Sequence, residues 1–166
     1  MKRAFVSFVF ISFVLGLFSG CSSRSRETEE YKIKAQSLGK LISGQASACV
    51  SQSKAYQAVW EYAKVSDMDF DTAAAQMLGP ETEQNKATMM EHKVMIEDLL
   101  EELKEPPSSF DEAYRKLEEL YDIYIQLHDL AMDPLDDMEK HMRSVNELAD
   151  RMAAKMRELD ASWFIK

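Results

Sequence analysis

Two methionine–histidine pairs are the residues best placed to do chemistry. Met89/His92 and Met138/His141 are each spaced so that both side chains share one face of a helix. Met142 adjoins the second pair, and Met132 lies one turn beyond His128. Thioether and imidazole are soft-to-borderline ligands, and two such pairs would complete a four-coordinate site acceptable to Cu(I). A haem held by Met and His is a weaker variant. Against both, methionine fills irregular cores, and Met138, Met142, Met152 and Met156 fall where leucine would pack equally well. His128 shares a row with Tyr114 and Tyr121, the setting of a half-buried structural histidine. Core packing is the favoured reading, with no cofactor expected. A copper site of Met89, His92, Met138, His141 and Met142 is the alternative.

Other chemistry lacks its residues. The glycines beyond residue 20 are Gly39, Gly44 and Gly79, unclustered, so no phosphate-cradling loop is encoded. There is no Cys-x-x-Cys-His and no His-Glu-x-x-His. The residues three before His92, His128 and His141 are Met89, Ile125 and Met138, where a di-iron bundle needs glutamate. Asp67, Asp69 and Asp71 match the opening spacing of an EF-hand loop. However, Thr72 stands where that loop needs glycine, and Leu78 where it needs its bidentate glutamate. Helix capping is the reading instead, with Asp71 opening a short helical turn through Leu78. Cys49, among Ala46, Ala48 and Val50, reads as a buried, inert thiol. No catalytic set emerges, and the chain is not expected to be an enzyme.

The elements that must position these residues are helices. A first helix is expected from about Glu27 to Val65, with Leu41/Ile42, Ala48/Cys49, Ala55/Tyr56 and Tyr62/Ala63 recurring every seven residues. Leu38, Gln45, Gln52 and Val59 form the adjoining row. Its two glutamines either pair within the bundle or face solvent or a partner. Small residues between Ala35 and Ala55 would let a neighbour approach closely, and Gly39 and Gly44 could mark a bend. Gly79-Pro80 opens a second helix to about Glu105, bearing Met89, His92, Ile96, Leu99 and Leu103. Pro106-Pro107 stops it, and Ser109-Phe110-Asp111-Glu112 reads as a capping box. The third helix carries Phe110, Ala113, Leu117, Leu120, Tyr124, Leu127 and Ala131, widened by Tyr114, Tyr121 and His128, so burial on two sides is expected. Asp133-Pro134 is read as opening a fourth helix, with a seam of Leu135, Met138, Met142, Val145, Ala149, Met152, Met156, Leu159 and Trp163. Together they predict an all-α fold, an elongated up-and-down bundle of three to four long helices.

The N-terminus is different in kind. Lys2 and Arg3 precede an apolar run from Ala4 to Leu17, followed by Phe18-Ser19-Gly20-Cys21. The run is 14 residues, against roughly 20 for a membrane-spanning helix, so it reads as a cleaved secretory signal. Ser19-Gly20-Cys21 resembles the lipobox of bacterial lipoproteins, although Phe18 departs from the usual aliphatic residue. The resemblance ends there. It implies lipidation of Cys21 and a mature chain beginning at that cysteine. One myristoyl chain binds a membrane only marginally, on the order of 10⁴ M⁻¹, whereas two or three chains hold firmly. The organisation expected is signal peptide 1–20, lipidated cysteine and flexible tether 21–28, and helical bundle 29–166. Ser22 after the cysteine resembles lipoproteins sent to the outer membrane of a diderm cell. In a Gram-positive cell the anchor would sit on the outer face of the plasma membrane.

Loss of Lys2 and Arg3 with the signal takes the formal charge from −9 to −11. An acidic domain without a basic cluster is a poor nucleic-acid binder. With Cys21 lipidated, Cys49 has no intramolecular partner, which excludes a disulfide-stapled fold. The expected function is a non-enzymatic, lipid-anchored adaptor or structural module of the cell envelope, with a protein partner there and no nucleic acid. Copper binding or sequestration is the alternative.

Overall fold

A computed structural model describes residues 23–163. Its helices are α1 (Ser23–Ser66), α2 (Phe70–Met77), α3 (Pro80–Glu102), α4 (Asp111–Met132) and α5 (Met138–Ser162), with a single 3₁₀ turn at Ser108–Phe110. The four long helices form the expected all-α bundle, running up, down, up and down, while α2 is a short hook beyond the end of α1. None of the described helices is long and apolar enough to cross a membrane. Cys21 and the signal segment 1–20 lie outside the described residues.

Side-chain contacts fix the directions. Tyr31 donates to the Leu103 carbonyl at 3.1 Å and Lys34 pairs with Glu102, so the start of α1 meets the end of α3. Tyr31 also stacks on Phe110, and Tyr56 donates to the Ala131 carbonyl at 3.0 Å, so α1 and α4 run parallel. Phe110 packs on Trp163 while Trp60 packs on His141, which reverses α5. The cross-section is not square. α1, α4 and α5 pack on one another extensively, whereas α3 packs more lightly on α1 and α4.

The apolar stripe of α4 is buried as its periodicity predicts: Ala113, Leu117, Leu120, Tyr124, Leu127 and Ala131 are all in the core. α1 contributes Leu38, Ile42, Cys49, Tyr56 and Val59, and α5 contributes Val145, Leu148, Met152 and Leu159. The α5 seam is not wholly buried, since Met138, Met142, Ala149 and Met156 are only half-covered. Leu148 and His141, outside the predicted seam, are buried with it.

Several boundaries differ from the sequence expectation, each for a local reason. α1 begins at Ser23, inside the expected tether, with Arg26 and Glu30 paired one turn apart at 3.0 Å. Of the three aspartates, Asp67 and Asp69 shape helix ends, while Asp71 lies inside the first turn of α2. Asp67 takes a left-handed conformation (φ 53°) just past α1, and Met68 N–H returns to the Ala63 carbonyl at 3.0 Å, closing the helix end. Asp69, not Asp71, is the N-cap of α2, accepting from the amide and hydroxyl of Thr72 at 2.8 Å each. Those two bonds hold its carboxyl below the usual carboxylate range. The capping box at Ser109–Glu112 does not form. Phe110 N–H bonds the Pro107 carbonyl in the 3₁₀ turn, and Glu112 turns to Arg115. Asp133 ends α4 rather than opening α5. Asp137 is the N-cap of α5, accepting from Lys140 N–H at 2.8 Å.

Where the chain needed a close approach, it has glycine. A Cβ on Gly39 would stand 2.7 Å from Leu159 Cδ2 and 3.4 Å from Leu117 Cδ2, whereas one on Gly44 would meet nothing within 4 Å. Gly44→Ala should therefore stabilise by up to about 1 kcal/mol through helix propensity. Gly39→Ala should lose that gain to overpacking, which costs about 1–3 kcal/mol. Denaturant melts of the two variants compare them, and equal stabilisation would mean α5 does not cross α1 at Gly39. On α5, Met152→Ala should cost about 2–5 kcal/mol and half-covered Met142→Ala clearly less. Equal losses would contradict the observed burial.

Candidate functional site

The copper alternative requires the two methionine–histidine pairs to meet. Met89 and His92 sit on α3, and Met138, His141 and Met142 on α5. α3 and α5 each pack on α1 and α4, with no comparable contact between them. They therefore flank the α1–α4 pair, and the four-coordinate set that copper would need is not assembled. Nor do the described residues contain a group of three or more His, Cys, Asp or Glu side chains placed to hold a metal ion.

Cys49 is fully buried, and burial pushes its thiol pKa up to about 12. A thiol held protonated is neither nucleophile nor ligand at neutral pH. Further along the same face Gln52 is buried, and Gln45 is half-covered. Around this level of the bundle, Gln52 Nε2, Ser53 Oγ, Tyr124 Oη and His128 Nε2 are buried without a protein partner. His92 Nδ1, on α3, is buried in the same unpaired state.

A different place gathers convergent groups. At the end of the bundle where α1 stops, a cleft of about 580 Å³ opens between α1, α2, the start of α3 and the 133–137 connection. That size lies within the range of small-ligand pockets. Tyr56 and Trp60, one turn apart on α1, form its floor with Phe70 of α2. The Trp60 and Phe70 ring centroids are 4.7 Å apart, and Tyr56 meets both rings edge-on at 6.5 and 6.2 Å. Asp69, Asp71, Glu83, Asp133 and Asp136 line the cleft, against one cation, Lys86. Lys86 Nζ lies 5.7 Å from the Tyr56 ring centroid and 3.9 Å from Glu83 Oε1.

His141 supports this floor from behind. It is fully buried, with its ring 5.3 Å from Trp60 and 6.4 Å from Tyr56. Its Nδ1 accepts from Leu135 N–H at 3.4 Å, which assigns the ring proton to Nε2. Burial lowers the pKa of His141, so the imidazole is neutral. Its role is to anchor the 133–137 connection that forms one wall of the cleft.

Sequence pattern places Tyr56 in the apolar row of α1 and Asp69, Asp71 and Asp133 near helix ends, but it does not group them with Trp60, Phe70, Glu83, Lys86 and Asp136. Tyr56 and Trp60 show the one-turn aromatic spacing of a helix face. Their link to Phe70 depends on the turn at Asp67, and their link to Asp133 and Asp136 on long-range packing.

The neutral state of His141 has a pH consequence. Its folded-state pKa is lowered, so the unfolded chain takes up the proton more readily, and stability falls as pH drops through the unfolded value of about 6.5. The loss grows until pH passes below the folded-state pKa. Wild type should be less stable at pH 5.5 than at pH 7.5 in denaturant melts, and His141→Met should flatten that difference. An unchanged slope in the variant would remove His141 as its source. No family model, no curated protein and no solved structure matches this chain.

Proposed function

We propose that the protein is a lipid-anchored, non-enzymatic interaction module of the cell envelope that presents the aromatic, acid-rimmed cleft to a partner. The observation that carries this reading is the position of the cleft along α1. Trp60 lies 37 residues beyond Ser23 on one continuous helix, a rise of about 55 Å at 1.5 Å per residue. An acyl anchor on Cys21 would hold the beginning of α1 at a membrane and place the cleft at the far end. The acidic surface would be repelled by anionic headgroups, which favours lipid as the sole membrane contact. The organisation is that of a mast: anchor at one end, recognition surface at the other, and a rigid bundle between.

Two measurements test the two halves. Wild type should incorporate labelled palmitate and fractionate with membrane, whereas Cys21→Ala should take up no palmitate and give an unprocessed or soluble species. Retention of the alanine variant in the membrane at wild-type mass would replace the anchor with an uncleaved apolar segment. For the cleft, a photoreactive residue at exposed Ala75 on its rim should give a defined crosslink to an envelope protein in intact cells. The same group at exposed Arg157, on the final turns of α5, should not. Identical labelling from both positions would dismiss the cleft as the docking end.

A further inference from the structure

We infer that the cleft is a receptor for an alkylammonium group, and that Lys86 occupies the ligand's place when no ligand is bound. The inference rests on the reading of the cleft as the recognition end and names the chemistry recognised there.

Three features select this ligand class. First, the floor is aromatic: the Tyr56, Trp60 and Phe70 rings contact one another, and aromatic faces attract cations through their quadrupoles. Second, five carboxylates against one ammonium line the cavity, a charge balance that repels anions and gathers cations. Third, the carboxylates do not converge as metal ligands do, since no group of three His, Cys, Asp or Glu among the described residues is placed to hold an ion. A divalent cation needs such convergence. An ammonium on an apolar stem needs only a ring face beneath it and diffuse negative charge around it.

The chain itself supplies the test case. Lys86 reaches from α3 to set its own ammonium over Tyr56, with Glu83 as its carboxylate. A ligand cation would compete for this arrangement, displacing Lys86 toward solvent. Asp69 is already committed to capping α2 through Thr72. Asp133 and Asp136, both exposed on the 133–137 connection, are the wall carboxylates that an incoming ammonium would meet. The ammonium could belong to a lysine side chain of a partner or to a free polyamine.

Titration calorimetry on the purified full-length protein in detergent, with Nα-acetyl-lysine amide and spermidine as probes, tests this directly. Both probes should bind, more weakly as salt rises. Lys86→Gln should bind several-fold tighter, because the internal competitor is gone. Trp60→Leu should bind about 2- to 30-fold more weakly, the span of one cation–π contact. Asp133→Asn/Asp136→Asn should weaken binding without altering the thermal melt, guarding against a Trp60 variant that merely unfolds. Failure of Lys86→Gln to bind either probe at millimolar concentration would overturn the inference, as would equal binding of the uncharged analogue norleucine amide blocked at its amine. Preference for the lysine probe identifies a protein side chain as the source, and preference for spermidine a free polyamine. Ammonium binding without an Ala75 crosslink would refute the docking reading alone, and a crosslink without ammonium binding would refute this inference alone.

Discussion

The apolar stripe of α4 wraps far enough around the helix that one neighbour cannot cover it, and the rest of the bundle follows from that requirement. α1 and α5 cover it together, which forces them against each other as well as against α4. The three-way contact is tight where Gly39 meets Leu159 and Leu117, and a side chain there would crowd both leucine tips. α3 is left to close the remaining side of the α1–α4 pair. It does so lightly, burying Met89, Ile96, Leu100 and Leu103 while Met90, Val94 and Met95 stay exposed. A bundle so arranged is a three-helix core with a fourth helix laid along it.

The ends of α3 and α4 are tied down by tyrosine. The last carbonyls of a helix lack intrahelical donors and need others, and α3, α4 and α5 carry no basic residue in their last turns. Tyr31 and Tyr114 donate to the Leu103 and Leu100 carbonyls at the end of α3, and Tyr56 donates to Ala131 near the end of α4. Each of these bonds crosses between elements, so one interaction satisfies a helix end and fixes the axial position of two helices. Burial and neighbouring charge push the Tyr31 pKa up to about 12, which keeps the hydroxyl protonated and donating.

The cleft is a by-product of the same packing. α1 runs past the core, and the chain must turn back through α2 before α3 can begin. α5, tied to α4 by the 133–137 connection, starts near the same level of the bundle. Between them remains a space that no long helix fills, floored by the part of α1 that carries Tyr56 and Trp60. Carboxylates gather there because two connections meet there: Asp69, the cap of α2, comes from one, and Asp133 and Asp136 come from the other, which leads to Asp137, the cap of α5. Asp69 is the one side-chain cap among the five carboxylates that line the cavity, and buried, neutral His141 holds Leu135 at its wall.

Periodicity and residue size were enough to read the helices, the two-sided burial of α4, the buried Cys49 and a close approach somewhere between Ala35 and Ala55, because each depends on neighbours within a few turns or on the size of side chains. That Gly39 is the tight point came only from the packing. Boundaries were less legible. Asp69 and Asp137 won the capping positions over Asp71 and Asp133, since a cap is decided by backbone conformation and several adjacent aspartates offer the same side chain. The grouping of Met89 and His92 with Met138 and His141 was undecidable from spacing, because spacing fixes a helix face but not which helices become neighbours. Only the tertiary structure set α3 and α5 on opposite flanks of the α1–α4 pair and brought Tyr56, Trp60, Phe70, Lys86 and Asp136 around one cavity. The physical reason is that local sequence determines which face of a helix is apolar, whereas the order in which those faces cover one another is settled by the whole core at once.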